Sequence, residues 1–97
     1  MTIQSSPVVA LNRAVAIAER DGPARGLEAI ARIDDPGRLA GYPFYYAALG
    51  EFELRLAHPG RARKHFRTAL SLARSPMEKR FLEGRLRDCT EVSPSGP

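Results

Sequence analysis

An all-α fold of about five helices is the architecture this sequence predicts, and three features predict it. Apolar residues recur at spacings of three and four along most of the chain. Prolines and glycines fall between those periodic stretches, where they stop one helix and start the next. No run of residues alternates polar and apolar as a half-buried strand requires. With 97 residues and a hydrophobic content of 43%, one small domain with a modest core is the most the chain can build.

The elements follow in order. Residues 1–6 are expected to be a flexible N-terminus. Ser6-Pro7 pairs an N-cap with a proline at the first helical position, and residues 7–20 read as a first helix. Val8, Leu11, Val15 and Ala18 share one face, while Ala10, Ala14 and Ile17 form a second. Asn12, Arg13, Glu19 and Arg20 are the clear polar positions. A helix this apolar around its circumference is usually covered on more than one side. Asp21-Gly22-Pro23 ends it, with glycine suited to a left-handed stop. A second helix is expected over 23–33, with Leu27, Ile30 and Ala31 inward. The next stretch, Asp34 to Pro43, carries two prolines and two glycines counting its last residue, so a loop is expected. A third helix should run from Pro43 to Ala57, and His58-Pro59-Gly60 turns the chain. A fourth, about 60–74, places Ala62, Phe66, Ala69, Leu70 and Ala73 on one stripe, with Arg63, Arg67 and Arg74 together on another face. Ser75-Pro-Met-Glu78 is a capping-box signature. It should open a fifth helix over 76–89 that buries Phe81, Leu82 and Leu86. Residues 90–97 lack apolar periodicity and are expected to fray.

Several classes of function are disfavoured by composition. Cys89 is the sole cysteine and has no internal partner. His58 and His65 stand without metal-ligand spacing, so no metal and no cofactor is expected. Asp34-Asp35 is the adjacent carboxylate pair of the loop and suits turn chemistry better than acid–base work. No nucleophile–base pair or glycine-rich phosphate loop is present, so an enzyme is not expected. The longest apolar runs fall far short of a membrane span, and Met1–Ser6 lacks the basic start of a signal peptide. A soluble, cytoplasmic chain is expected. The net charge of +4 is uneven: residues 1–57 hold six Arg against seven acids, and residues 58–97 hold nine Lys or Arg against four. A basic half raises nucleic-acid contact as a reading. Aromatics that would stack on bases are not interleaved with the arginines, so a solvated face at Arg63, Lys64, Arg67 and Arg74 is the stronger expectation, without specific DNA binding.

One residue asks for an explanation. Gly50 sits inside the helix-prone run Tyr46-Ala-Ala-Leu-Gly-Glu-Phe52, where glycine costs about 1 kcal/mol relative to alanine. Leu11 and Leu49 fall at equivalent places in the first and third helices, and Ala24 and Ala62 in the second and fourth. Both offsets are 38 residues, which suggests repeated antiparallel hairpins. Tyr46, Leu49, Gly50, Ala62, Phe66 and Ala69 resemble the tetratricopeptide (TPR) motif, whose small residues let two helices approach closely. Glu53 departs from that motif at a tyrosine position, its proline is displaced to Pro76, and Asn12 stands in the glycine place of the first repeat. The resemblance implies a TPR-like domain over 7–89 in which Gly50 packs closely against the helix containing Ala62. It also implies a groove whose polar positions are Arg13, Glu51 and Arg55, with Asn12 adjacent. Glu51 and Arg55 could equally form a surface pair along their own helix.

A second resemblance is carried by SPVVALNRAVAIAERDGP (residues 6–23) and PMEKRFLEGRL (residues 76–86). With the hairpin between them, these resemble the C-terminal extension of a subgroup of bacterial extracytoplasmic-function RNA polymerase sigma factors. The resemblance spans residues 6–88. It implies a regulatory, protein-binding extension whose partners are RNA polymerase or the sigma domains of a parent chain, and it implies that this chain is a fragment of a longer sigma factor, without the promoter-reading domains. A preceding helix would then cover the second apolar face of residues 7–20. Without it, homodimer formation through residues 8–18 is expected, with Val9, Ala10 or Ile17 in the contact. A free-standing peptide-binding adaptor is the alternative reading, and a basic nucleic-acid-contacting module the third.

Overall fold

Proline opens every helix. In the computed structural model, which describes residues 7–33 and 36–92, five α-helices run over α1 (Pro7–Asp21), α2 (Pro23–Ala31), α3 (Pro43–Arg55), α4 (Pro59–Leu72) and α5 (Pro76–Val92). A single 3₁₀ turn, Pro36–Leu39, precedes α3 and also begins with proline. The first residues of a helix have no use for their N–H groups, and a φ fixed near −65° is already helical, so each proline costs nothing where it stands. The chain is all-α among its described residues. Its contacts gather into two compact units that divide between Gly41 and Tyr42, where the sequence alone is read as one domain over 7–89.

The first unit is the α1–α2 hairpin with the 3₁₀ turn packed on α1. Leu11, Ala14 and Ala18 of α1 are buried, as are Ile30, Ile33 and Leu39. The inward face of α1 is therefore turned from the expected one: Val8 is 37% exposed and Val15 only half-buried, while Ala14 takes a core position. In α2, Gly26 is buried and Ala31 is exposed, because the helix stops at Ala31 and the chain reaches inward again at Ile33. Gly22 is the one residue between the helices. At φ 101°, ψ 161°, it occupies a region that side chains all but forbid. Its N–H still closes on the carbonyl of Ala18 at 2.8 Å, so α1 ends without an orphaned donor. The expected N-cap at Ser6 and the carboxylates Asp34 and Asp35 lie outside the described residues.

In the second unit, α3 pairs with α4 and α4 with α5. Its core is Ala62, Phe66, Ala69, Leu82 and Cys89, with Tyr46, Leu54, Leu70 and Leu86 packed around it. Gly50 is buried in α3, and a methyl group built on it would lie 2.7–2.9 Å from three ring carbons of Phe66. Phe66 is itself wholly buried. The close approach expected toward the helix of Ala62 is thus made to that helix's phenylalanine. The helix after Ser75 is longer than expected, reaching Val92, so residues 90–92 are helical; residues 93–97 lie outside the described part. Leu82 and Cys89, two turns apart, face the core. Phe81, one residue off that line, is 56% exposed, which corrects the expectation that it is buried. Ser75 Oγ accepts the N–H of Glu78 at 3.1 Å. The reciprocal bond runs one residue earlier than in a standard capping box: Glu78 Oε1 accepts the N–H of Arg74 at 3.0 Å.

The turn after α3 is built against expectation. Gly60 lies inside α4, and the left-handed residue is Ala57, at φ 64°. The N–H of His58 donates to the carbonyl of Glu53 at 2.9 Å, and that of Ala57 to Leu54 at 3.0 Å. These two bonds define a Schellman stop, a position where glycine is the usual residue. A non-glycine residue held there costs roughly 1–2 kcal/mol, and exposed Ala57 makes no packing that would be lost. Ala57→Gly is therefore expected to stabilise the chain by about 0.5–1 kcal/mol after the greater freedom of an unfolded glycine is subtracted. Urea denaturation checks this; a lower midpoint with an unchanged slope would contradict it.

Candidate functional site

Two places gather polar side chains over apolar ground, one in each unit. In the first, α1 and α2 leave an open cleft of about 430 Å³ floored by Ala10, Ala14, Ile17, Ala29 and Ile33. Arg13 from α1 and Arg32 from the end of α2 stand at its rim. A second hollow of about 500 Å³ shares Ile17, Ala29 and Arg32 with it, and adds Arg20, Asp21, Arg25 and Glu28. The two make one continuous trough along the hairpin. Arg20 is paired with Asp21 at 3.0 Å and Arg25 with Glu28 at 3.2 Å. The Arg20 guanidinium beside Asp21 holds that carboxyl below its ordinary range. Of the sequence-predicted residues, Arg13 lines this trough, whereas Asn12 is exposed on α1 and does not.

The second place is the junction of α3, α4 and α5. Arg85 of α5 donates from Nε to Glu51 Oε2 and from Nη2 to Glu51 Oε1, the latter at 2.9 Å. Its Nη1 donates to Asp88. The guanidinium carbon also lies 5.8 Å from the centroid of the Phe66 ring, within reach of a cation–π interaction. Burial works against the charge on Arg85, but the bonds and charge of Glu51, with Asp88 behind, outweigh it and raise its pKa. Glu51, expected as a groove position, has its carboxylate taken bidentately by Arg85 of α5. Arg55, the other predicted position on α3, is exposed. Sequence reasoning missed Arg85 and Asp88. One signal for them existed, since Glu51 and Arg85 are 34 residues apart, the length of one tetratricopeptide unit.

Neighbouring side chains follow from the same packing. Arg63 is half-buried, and its Nε is buried without a hydrogen-bond partner among the described residues. It therefore leaves the solvated face expected of it, while Lys64, Arg67 and Arg74 are exposed. Cys89 is a buried thiol whose pKa burial pushes up, against the lowering charges of Arg63 and Arg85. Glu53, at the position where the repeat motif has tyrosine, accepts from His58 Nδ1 at 2.8 Å and has Arg61 at 3.9 Å. It thus ties the end of α3 to the start of α4. No group of three or more His, Cys, Asp or Glu among the described residues could hold a metal ion. No described helix is long and apolar enough to cross a membrane.

Comparison with known proteins returned little beyond this geometry. No family model and no solved structure matches. The chain is similar to an uncharacterized protein of Rhizobium meliloti (strain 1021), at 36% identity over 84 residues. That stretch covers 87% of this chain but 19% of the relative, so the likeness is to one segment of a much longer polypeptide.

His65, on α4, differs from a surface histidine. Burial lowers its pKa from the ordinary 6.5, helped by Lys64 and opposed by Glu53. The folded chain thus prefers neutral imidazole, and the unfolded chain binds the extra proton first as pH falls. The stability that neutral His65 contributes is present above the unfolded pKa and is lost as pH drops through the folded one. Stability is expected to fall as pH drops from above the ordinary histidine value of 6.5 to below it, and His65→Gln to flatten that fall. Urea midpoints across this range check it; an equal slope in both proteins would contradict it.

Proposed function

We propose that this chain is a TPR-like protein-interaction module, the regulatory extension of an extracytoplasmic-function sigma factor, acting in the cytoplasm on RNA polymerase or on the sigma domains of its own polypeptide. One observation carries the module part of the reading: Gly50 sits against the buried ring of Phe66 across the α3–α4 hairpin. A helix surrenders propensity for glycine when another helix must come close, and the contact of Gly50 with Phe66 supports reading Leu49-Gly50, Ala62, Phe66 and Ala69 as the set that resembles the repeat motif. The stretches at 6–23 and 76–86 carry the sigma-factor part. The relative adds support, since its matching segment belongs to a protein of which this chain spans about a fifth. The surfaces fit binding better than chemistry. Both polar clusters join arginines to carboxylates or to apolar ground, and neither sets a nucleophile beside a base.

The test is direct binding. The labelled chain is titrated with core RNA polymerase, with the two sigma domains of an extracytoplasmic-function factor from the same bacterium, and with promoter and random DNA duplexes. Saturable binding to polymerase or to a sigma domain is expected. DNA binding is expected to be weak and indifferent to sequence at about 150 mM salt. Failure to engage either protein would contradict the reading, and submicromolar, promoter-selective DNA binding would replace it with a nucleic-acid module.

A further inference from the structure

The α1–α2 trough has a feature that its own hairpin does not use. Its floor is aliphatic, made by Ala10, Ala14, Ile17, Ala29 and Ile33. Small alanines on both walls let a helix backbone approach, and Ile17 and Ala10 are only half-buried. Four arginines line it against two acids, Asp21 and Glu28. Those acids are already joined to Arg20 and Arg25. Arg13 and Arg32, one from each helix, remain at the rim with no ion pair to a carboxylate among the described residues, and both are exposed.

We infer that this trough docks an acidic amphipathic helix, whose apolar stripe lies on the alanine and isoleucine floor and whose flanking carboxylates meet Arg13 and Arg32. Helix-in-groove recognition reads an apolar stripe at spacings of three and four, and the two arginines on opposite walls set its charge and register. Arginine suits the task because its planar fork takes a carboxylate through two parallel hydrogen bonds. A second copy of α1 is the competing occupant, but it carries Arg13 itself and brings Arg13 toward Arg13 about a two-fold axis, with like charges opposed. The inference rests on the reading of the chain as an interaction module and gives that module's first hairpin a ligand chemistry.

The experiment uses the full chain and a synthetic peptide of about 16 residues, long enough for helix to form on binding. The peptide carries Leu on one stripe and Glu on both flanks; a second peptide has Lys for Glu. The Glu peptide is expected to bind, with affinity that weakens as salt rises, and the Lys peptide at least about tenfold more weakly. Arg13→Glu with Arg32→Glu should cost the Glu peptide about tenfold or more and restore the Lys peptide. Both sites are exposed, and circular dichroism establishes that the variant stays folded. Ile17→Glu should abolish binding of either peptide, whereas Arg67→Glu on α4 should leave it within about twofold. Equal binding of the two peptides, or an equal loss with Arg67→Glu, would overturn the inference as mere attraction to a basic chain. A dimer in sedimentation that the Glu peptide does not displace would overturn it in favour of a second copy. A charge-reversed chain that still engages polymerase or sigma domains would overturn the trough assignment and leave the module reading standing. Glu-peptide binding intact in a chain that engages neither protein would do the reverse.

Discussion

The second unit is organised by a missing side chain. Gly50 leaves a gap in the wall of α3 just large enough for one edge of the Phe66 ring, and everything else in that unit is built on the ring's seat. Ala62 and Ala69, a turn to either side of Phe66 on α4, are small enough to keep α3 and α5 near and are wholly buried. Leu82 and Cys89 close the other side of the same cluster from α5. Above the ring lies the guanidinium of Arg85, steered there by Glu51, the residue next to Gly50. The close approach and the ion pair thus come from adjacent positions of one helix. Burying a phenylalanine side chain is worth about 1.5–3 kcal/mol relative to leaving it exposed, which outweighs the roughly 1 kcal/mol that glycine forfeits in a helix.

The Glu51–Arg85–Asp88 network has a different role from the apolar cluster beneath it. Partly exposed ion pairs contribute little net stability, but a bidentate pair fixes geometry. Here it fixes where α5 lies on α3, a relation the two helices support with few direct backbone approaches compared with α3 on α4 or α4 on α5. The first unit is held differently. It has a short aliphatic core, Leu11, Ala14, Ala18, Ile30, Ile33 and Leu39, and a single glycine as its hinge. Its surface is correspondingly open, and the apolar excess visible in the sequence of α1 reappears as the floor of a trough.

Helix starts were the most legible part of this sequence, and helix ends the least. A proline before an apolar-periodic run has one local meaning, and at Pro7, Pro23, Pro43 and Pro76 it carried it, whereas Pro59, read as part of a turn, also opens a helix. Stops depend on what the chain packs against next. Gly60, the obvious turn residue, is helical, and Ala57 takes the left-handed conformation because Glu53 and His58 hold the chain there. The α4 stripe Ala62-Phe66-Ala69 was readable from spacing alone. The faces of α1 and α5 were not: α1 carries apolar residues around more than half its circumference, and in α5 the broad arc of Phe81, Leu82, Leu86 and Cys89 does not say which edge meets the core. That is why Phe81 and Val8 turned outward while Cys89 and Ala14 turned in. Of the residues that line the two polar clusters, Arg13 is one that the repeat pattern had singled out. Arg32, Arg85 and Asp88 were not singled out, because a guanidinium finds its partner through tertiary packing, and the bond from Arg85 to Glu51 joins two different helices.

The central claim, that Gly50 exists to seat Phe66, is tested most directly by a double-mutant cycle of Gly50→Ala with Phe66→Leu, read by urea denaturation. Alone, Gly50→Ala places a methyl against the ring and should cost about 1–3 kcal/mol by overpacking, despite the gain of up to about 1 kcal/mol in helix propensity. With leucine at 66 the obstructing ring carbons are gone, and the same substitution should become close to neutral or stabilising. A cost that is unchanged in the leucine background, or a Gly50→Ala chain more stable than the parent, would contradict the account.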